Sequence, residues 1–154
     1  MSIERIAVLG AGQMGNGIAH VCAKAGHDVY LMDISQDILD KAMAKIEKNL
    51  SREIKREEID EPIKADTLAR IATGTDYAGF KDCDLVIEAA SEDEDVKKDI
   101  LKSLCKVVPD YALIASNTSS ISITRLGART DRPGKVVGMH FMNPVPRMEL
   151  VELI

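Results

Sequence analysis

Arg5-Ile6-Ala7-Val8-Leu9-Gly10-Ala11-Gly12-Gln13-Met14-Gly15 is an aliphatic run that breaks into three glycines at the spacing GxGxxG. Ile6 to Leu9 has the composition of a strand buried on both faces, as the centre of a parallel sheet requires. A helix follows: Ala19, Val21, Cys22, Ala23 and Ala25 mix small and apolar side chains at helical density, and Gly26 marks its end. In a strand-turn-helix of this kind each glycine has its own task. Gly10 makes the tight turn, Gly12 lets backbone approach a pyrophosphate, and Gly15 lets helix and strand pack closely. The helix N-terminus offers unpaired N–H groups and the positive end of its dipole, so an anion is held there without a basic side chain.

A second apolar run, Val29-Tyr30-Leu31-Met32, ends in Asp33, 18 residues after Gly15. A carboxylate at that distance receives the hydroxyls of a ribose and repels the extra phosphate of NADP, so the expected cofactor is NAD. The competing role for Asp33 is to cap the helix that starts near Ser35 or Gln36.

The 154 residues are 45% hydrophobic, which suits one soluble domain with its own core. Trp is absent and aromatics are 3%, so aliphatic side chains and seven Met must fill that core, which favours α/β over an all-β sandwich. No apolar run reaches the roughly 20 residues that span a bilayer, and the chain enters a strand without a signal segment. A cytoplasmic protein with no membrane partner is expected. Cys22, Cys83 and Cys105 are odd in number, widely spaced and without a CxxC, so they read as buried thiols and no metal is expected. A net charge of −5 gives no reason to expect nucleic acid.

Ser35 to about Glu58 lacks Gly and Pro and predicts a long helix, with Leu39, Met43, Ile46, Leu50 and Ile54 as its apolar stripe. Lys41, Lys45, Lys48, Arg52, Lys55 and Arg56 form a basic ridge, six positive residues against two acidic ones between 41 and 56. Such a ridge is either a solvated face or a site for a phosphorylated ligand, because like charges one turn apart mildly destabilise a helix. Pro62 then interrupts the pattern, and a short helix resumes from Ala65 to Ala69. Strands are expected at Ile71 to Thr73, Asp84 to Glu88, Ala112 to Ala115, Lys135 to Phe141 and Met148 to Ile154, with a connector at Tyr77 to Lys81 and a helix from Val96 to Val107. This alternation predicts an α/β, Rossmann-type, doubly wound and mainly parallel sheet. Gly10, Asp33, the turn at 88–92, Ser116 to Ser120 and His140 to Asn143 would then gather at the carboxyl ends of strands.

Between His140 and Glu152 lies Asn143-Pro144-Val145-Pro146, where the chain is expected to reverse. A turn about residue 146 makes antiparallel neighbours whose numbers sum to about 292, which sets His140 opposite Glu152. A carboxylate beside an imidazole orients the ring and suits a general base in alcohol oxidation. A core histidine satisfied by backbone is the alternative for a lone His, and the pairing argues against it.

Ser116-Asn117-Thr118-Ser119-Ser120, His140-Phe141-Met142-Asn143-Pro144-Val145-Pro146 and Leu150-Val151-Glu152, together with Gly10 to Gly15, resemble the 3-hydroxyacyl-CoA dehydrogenase family. The resemblance covers nearly the whole chain. It implies reversible, NAD-dependent oxidation of a short-chain (S)-3-hydroxyacyl-CoA to the 3-ketoacyl-CoA, with His140 as general base and Glu152 as its partner. It further implies that Ser119 bonds the reacting substrate oxygen. Asn143 would place the nicotinamide and its ribose, and Gln13, Met14, Glu92, Lys97 and Asn117 would be cofactor contacts; a serine such as Ser119 otherwise serves a turn or helix cap. On the long helix the family places a Ser and, seven residues on, a Lys against the CoA portion, where this chain has Asn49 and Arg56. With Lys48 and Arg52 these are the expected contacts to the acyl-CoA. The family continues into a helical domain with most of the dimer contact, so residues 1–154 are expected to be the NAD-binding domain of a homodimer. Two other classes stay open on the residues alone: another NAD-dependent hydroxyacid dehydrogenase, and a non-enzymatic nucleotide-binding domain.

Overall fold

The glycine turn joins β1 (Arg5–Leu9) to α1 (Gln13–Lys24), and the alternation continues through β2 (Asp28–Met32), α2 (Gln36–Lys55), α3 (Glu61–Ala69) and β3 (Ile71–Gly74). Then follow β4 (Leu85–Glu88), α4 (Glu94–Leu104), β5 (Leu113–Ser116), α5 (Ile123–Gly127), β6 (Val136–Phe141) and β7 (Val151–Leu153). This is a computed structural model, and it describes residues 2–154. The strands form one sheet in the order β3-β2-β1-β4-β5-β6-β7. All are parallel except β7, which runs antiparallel to β6. Strand order reverses between β1 and β4, which is the point in such sheets where a dinucleotide crosses.

β1 shows why the sheet is doubly wound. Ile6 and Val8 point to one face and join Ile18, Leu39, Ile46 and Leu50 from α1 and α2, whereas Ala7 and Leu9 join Leu101, Leu104 and Leu126 from α4 and α5 on the other. Each fully buried aliphatic side chain contributes about 1.5–3 kcal/mol of transfer free energy, so a central strand apolar on both faces is held by both layers.

Several sequence expectations change, and β7 is shorter than the expected Met148 to Ile154. Pro62 does not interrupt a helix but occupies the first turn of α3, where its missing N–H has no partner to lose, and Asp60 caps that turn by accepting from Ile63 N. α5 was not expected: its five residues are too few for a helical period, and Ile123 and Thr124 are β-branched. α4 begins two residues earlier than expected, after the cap Asp93, and ends earlier, at Leu104. On α2 the inward position near the end belongs to Glu53, which is buried, while Ile54 is half-buried. Of the three thiols only Cys83 is fully buried; burial pushes Cys22 and Cys83 up to about 12, so neither is a nucleophile at neutral pH.

Glu53 is tolerated inside because α1 supplies both its partners. His20 Nε2 lies 3.1 Å from one oxygen and Lys24 Nζ donates to the other at 2.7 Å. Among the described residues His20 Nδ1 is buried without a hydrogen-bond partner. Burial pulls the His20 imidazole below its ordinary value of 6.5, Glu53 opposes this, and the nearby Lys24 charge adds to it. The unfolded chain therefore takes up a proton near pH 6.5 that the folded one refuses, and stability is lost as pH falls through 6.5 toward the lower folded value. Urea denaturation at about pH 7.5 and about pH 5.5 should show this loss. His20→Gln, which keeps a donor for Glu53, should make it smaller, and an equal loss in the variant would assign it to other groups.

Candidate functional site

At the carboxyl end of β1 the chain turns with Gly10 at φ +99°, where an added Cβ would stand 2.7 Å from Ala89 O. A Cβ on Gly15 would stand 1.6 Å from Gly10 O, so helix and strand touch backbone to backbone. Above Gly12 there is nothing within 4 Å. No side chain caps α1, and Asn16 turns its amide back onto Gly12 O at 2.7 Å, so the first-turn N–H groups face an open groove lined by Gly12, Gln13, Ile38, Lys41 and Lys45. Met14, in the first turn of α1, is partly buried against the core. Asp33 Oδ2 accepts from Ala11 N at 2.9 Å and Oδ1 from Ser35 N at 3.1 Å, which fastens the end of β2 to the glycine turn. The α2 cap is Ser35. Each oxygen of Asp33 keeps a second lone pair for a ribose diol.

Glu88, at the end of β4, is fully buried and accepts four bonds. Lys97 Nζ lies 2.8 Å from both of its oxygens, Ser116 Oγ donates to one at 2.7 Å and Ala90 N to the other at 2.7 Å. Lys97 is 1% exposed, so its ammonium is spent on Glu88 and lies 3.7 Å from Glu92. Glu92 is half exposed and accepts from Thr118 Oγ1 and Ser120 Oγ, each at 3.0 Å. Burial raises the Glu92 carboxyl, but those two bonds and the Lys97 charge outweigh it, and the group sits below its usual range. Asn117 Oδ1 accepts from Phe141 N at 2.8 Å, which ties the end of β5 to the end of β6 and leaves the Asn117 amide N–H groups free to donate to a ligand. The sequence placed Glu88, Ser116 and Thr118 at strand ends but gave none of them a role of its own.

β6 and β7 pair with His140 opposite Glu152, and His140 Nδ1 lies 3.6 Å from Glu152 Oε1. That is ion-pair range and longer than a hydrogen bond. Both groups reach solvent. Gln13 Nε2 donates to Asn143 Oδ1 at 3.1 Å, linking the glycine turn to the loop after β6. Ser119 is exposed and lines a different groove, with Ser122, Pro133 and Ile154. The structure thus brings together His140 with Glu152 and Gln13 with Asn143, but does not place Ser119 in their cluster.

Between α1, α2 and the loop after Asn143 lies a cavity of about 280 Å³. Asn49, Arg52 and Arg56 line it, as does Lys45; Lys48 does not. Arg147 lines it too, and the sequence carries no local signal for that, since its partner Glu58 is 89 residues away. Glu58 Oε1 binds Arg147 Nη1 at 2.8 Å and Arg56 Nε at 3.1 Å. The Arg147 hydrogen bond, with both guanidinium charges, holds Glu58 below the usual carboxylate range.

The buried pair makes a sharp stability test. Glu88→Ala leaves the Lys97 ammonium without its buried counter-charge and should cost about 3–5 kcal/mol in urea denaturation, whereas Glu88→Leu combined with Lys97→Met should lose clearly less. A double variant as unstable as the single one would show that shape, not charge, sets the cost.

Residues 5–154 match the family described as 3-hydroxyacyl-CoA dehydrogenase, NAD binding domain. The chain is 55% identical over 152 residues to a 3-hydroxybutyryl-CoA dehydrogenase of Bradyrhizobium diazoefficiens, covering 99% of this chain and 52% of that protein. It is 42% identical to the 3-hydroxyadipyl-CoA dehydrogenase of Escherichia coli, covering 100% of this chain and 32% of the relative. Among solved structures, the (S)-3-hydroxybutyryl-CoA dehydrogenase of Ralstonia eutropha superposes with a TM-score of 0.96 at 50% identity, over 99% of this chain and 54% of that one. The chain therefore spans about half the length of curated 3-hydroxybutyryl-CoA dehydrogenases that it matches. With the strand order, the open glycine turn and the sequence match in agreement, the chain belongs to the 3-hydroxyacyl-CoA dehydrogenase NAD-binding domain family.

Proposed function

We propose that this chain is the NAD-binding half of an enzyme that interconverts a short-chain (S)-3-hydroxyacyl-CoA and its 3-ketoacyl-CoA. The observation that carries this reading is the register of β6 and β7. It sets an imidazole and a carboxylate side by side at the sheet edge where Gln13 of the glycine turn meets Asn143. The residues fit the dinucleotide: the space above Gly12 is open, the first turn of α1 has unclaimed N–H groups, and Asp33 waits at the end of β2. When bound, NAD supplies the hydride acceptor.

Glu152 faces Nδ1 of His140, so the ring carries its proton there and leaves Nε2 to take the substrate hydroxyl proton. Closing 3.6 Å to hydrogen-bond length needs a small shift of an exposed carboxylate. The family motif makes Ser119 the second group for the reacting oxygen, although it lines a groove apart from His140 and Glu152, and Asn143, its carbonyl engaged by Gln13, offers its NH₂ to the nicotinamide side. Lys97, on α4, acts by holding Glu88 and lying 3.7 Å from Glu92, and Asn117 is tied to Glu88 through its backbone N–H, so all three act through the network around Glu88. Arg52, Arg56 and Arg147 give the cavity a cationic wall suited to the phosphates of CoA, and Asn49 adds a neutral amide beside them. Among the described residues no helix is long and apolar enough to cross a membrane; a cytoplasmic setting fits three free thiols. Leu150, Leu153 and Ile154 are exposed on and beside β7, where a helical second domain and a homodimer partner would cover them.

An absorbance assay with NADH and either acetoacetyl-CoA or acetoacetate tests the reading. A form extended through the second half found in relatives should reduce the CoA ester and not the free acid, and His140→Ala should lower kcat by on the order of 10²–10⁴. The 154 residues alone should bind NADH with little turnover, because the substrate would lack an opposing wall to hold it and exclude water. Reduction of acetoacetate at the same rate would replace the CoA ester with a free hydroxyacid as substrate.

Cofactor choice has its own test. Fluorescence titration should show tighter binding of NADH than NADPH, and Asp33→Ala should narrow the gap while weakening both, since Asp33 also fastens Ala11. Equal affinities in the unmutated chain would remove Asp33 as the discriminating group.

A further inference from the structure

The cavity assigned above to acyl-CoA and the groove over the glycine turn are neighbours that share part of their walls. Gln13, Asn16 and Lys45 line both. Two of the three are already engaged, Gln13 on Asn143 Oδ1 and Asn16 on Gly12 O. Lys45 differs. It is exposed, and among the described residues the ion pairs of α2 run through Glu47 and Glu53 and none involves Lys45. Lys41 lies one turn earlier on the same helix, and Glu53, the carboxylate that lines the cavity with Lys45, is paired with His20 and Lys24, so among the described residues Lys45 has no carboxylate partner of its own.

Resting on the functional reading above, we infer that Lys45 is a positioning residue that couples the two ligands, its ammonium standing between the pyrophosphate of the dinucleotide and the phosphates of the acyl-CoA. Both ligands are polyanions, and like charges within about a Debye length, roughly 8 Å at physiological salt, repel one another. A cation between them attracts each and offsets their repulsion. Occupancy of one pocket then does not oppose occupancy of the other. The coupling is reciprocal by thermodynamic necessity, and it is electrostatic, so it weakens as salt is raised. It also accounts for a run of like charges on α2 that would otherwise only weaken the helix.

The test uses NADH with (S)-3-hydroxybutyryl-CoA, both reduced, so that no turnover intervenes. NADH affinity is measured by fluorescence in the full-length protein with and without saturating acyl-CoA, and the ratio of the two is the coupling. In Lys45→Gln the ratio should shift about fivefold against joint binding at low salt, with the difference shrinking at high salt. Lys45→Arg should restore it. Lys55→Gln, exposed on the same helix, lining neither pocket and given no ligand role, should keep the unmutated ratio. If both ligands bind and Lys45→Gln keeps that ratio, the coupling role is overturned while the functional reading stands. If (S)-3-hydroxybutyryl-CoA does not bind the unmutated protein at all, the functional reading falls and this inference with it.

Discussion

The contact of Gly15 with the carbonyl of Gly10 is the constraint from which the rest of the molecule follows. Only a residue without a Cβ lets α1 approach the end of β1 this closely. That approach aims the helix N-terminus at the space beyond the sheet, leaves room over Gly12, and brings Ala11 N within reach of Asp33. It extends further along α1. A Cβ on Gly17 would meet Val145 Cβ at 2.8 Å, so the loop after β6 also sits directly on the helix, and Asn143 can meet Gln13. Two close approaches on one helix thus place the dinucleotide turn, the loop after His140 and the wall of the cavity in a single neighbourhood.

Two buried carboxylates hold the layers that flank this neighbourhood. Glu88 gathers Lys97, Ser116 and the backbone of Ala90 beneath the loops after β4 and β5, while Glu53 gathers His20 and Lys24 between α1 and α2. Buried pairs of this kind add little net stability, because desolvation offsets most of their attraction. What they do is restrict geometry: each carboxylate must keep its partners or be left charged and unpaired inside the protein. The Glu88 group sits one residue from Asn117, whose carbonyl holds Phe141, so the position of His140 depends on a carboxylate two strands away.

Charge outside the core is arranged differently. Glu58 joins Arg56 to Arg147 across the rim of the cavity, whereas Lys41, Lys45, Lys48 and Arg52 have no ion pair among the described residues. A face of unneutralised cations beside a helix N-terminus is a strong attractor for anions, and both pockets border it.

The sequence by itself determined the features that depend on near neighbours. The strand-turn-helix around Gly10, the βα order, the apolar stripe from Leu39 to Leu50 and the pairing of His140 with Glu152 were all legible, because a period, a glycine spacing or a short reversal sets each of them. Tertiary structure decided what each polar side chain faces. Glu53 turned inward because α1 brought His20 and Lys24 to it; Lys97 was drawn to Glu88 instead of an open groove; Asn117 was committed to Phe141, and Arg147 joined the cavity through Glu58. Most of these partners lie between 24 and 89 residues apart in the chain. A buried polar group binds whatever donor or acceptor the folded layers bring within about 3 Å, and no local pattern carries that information.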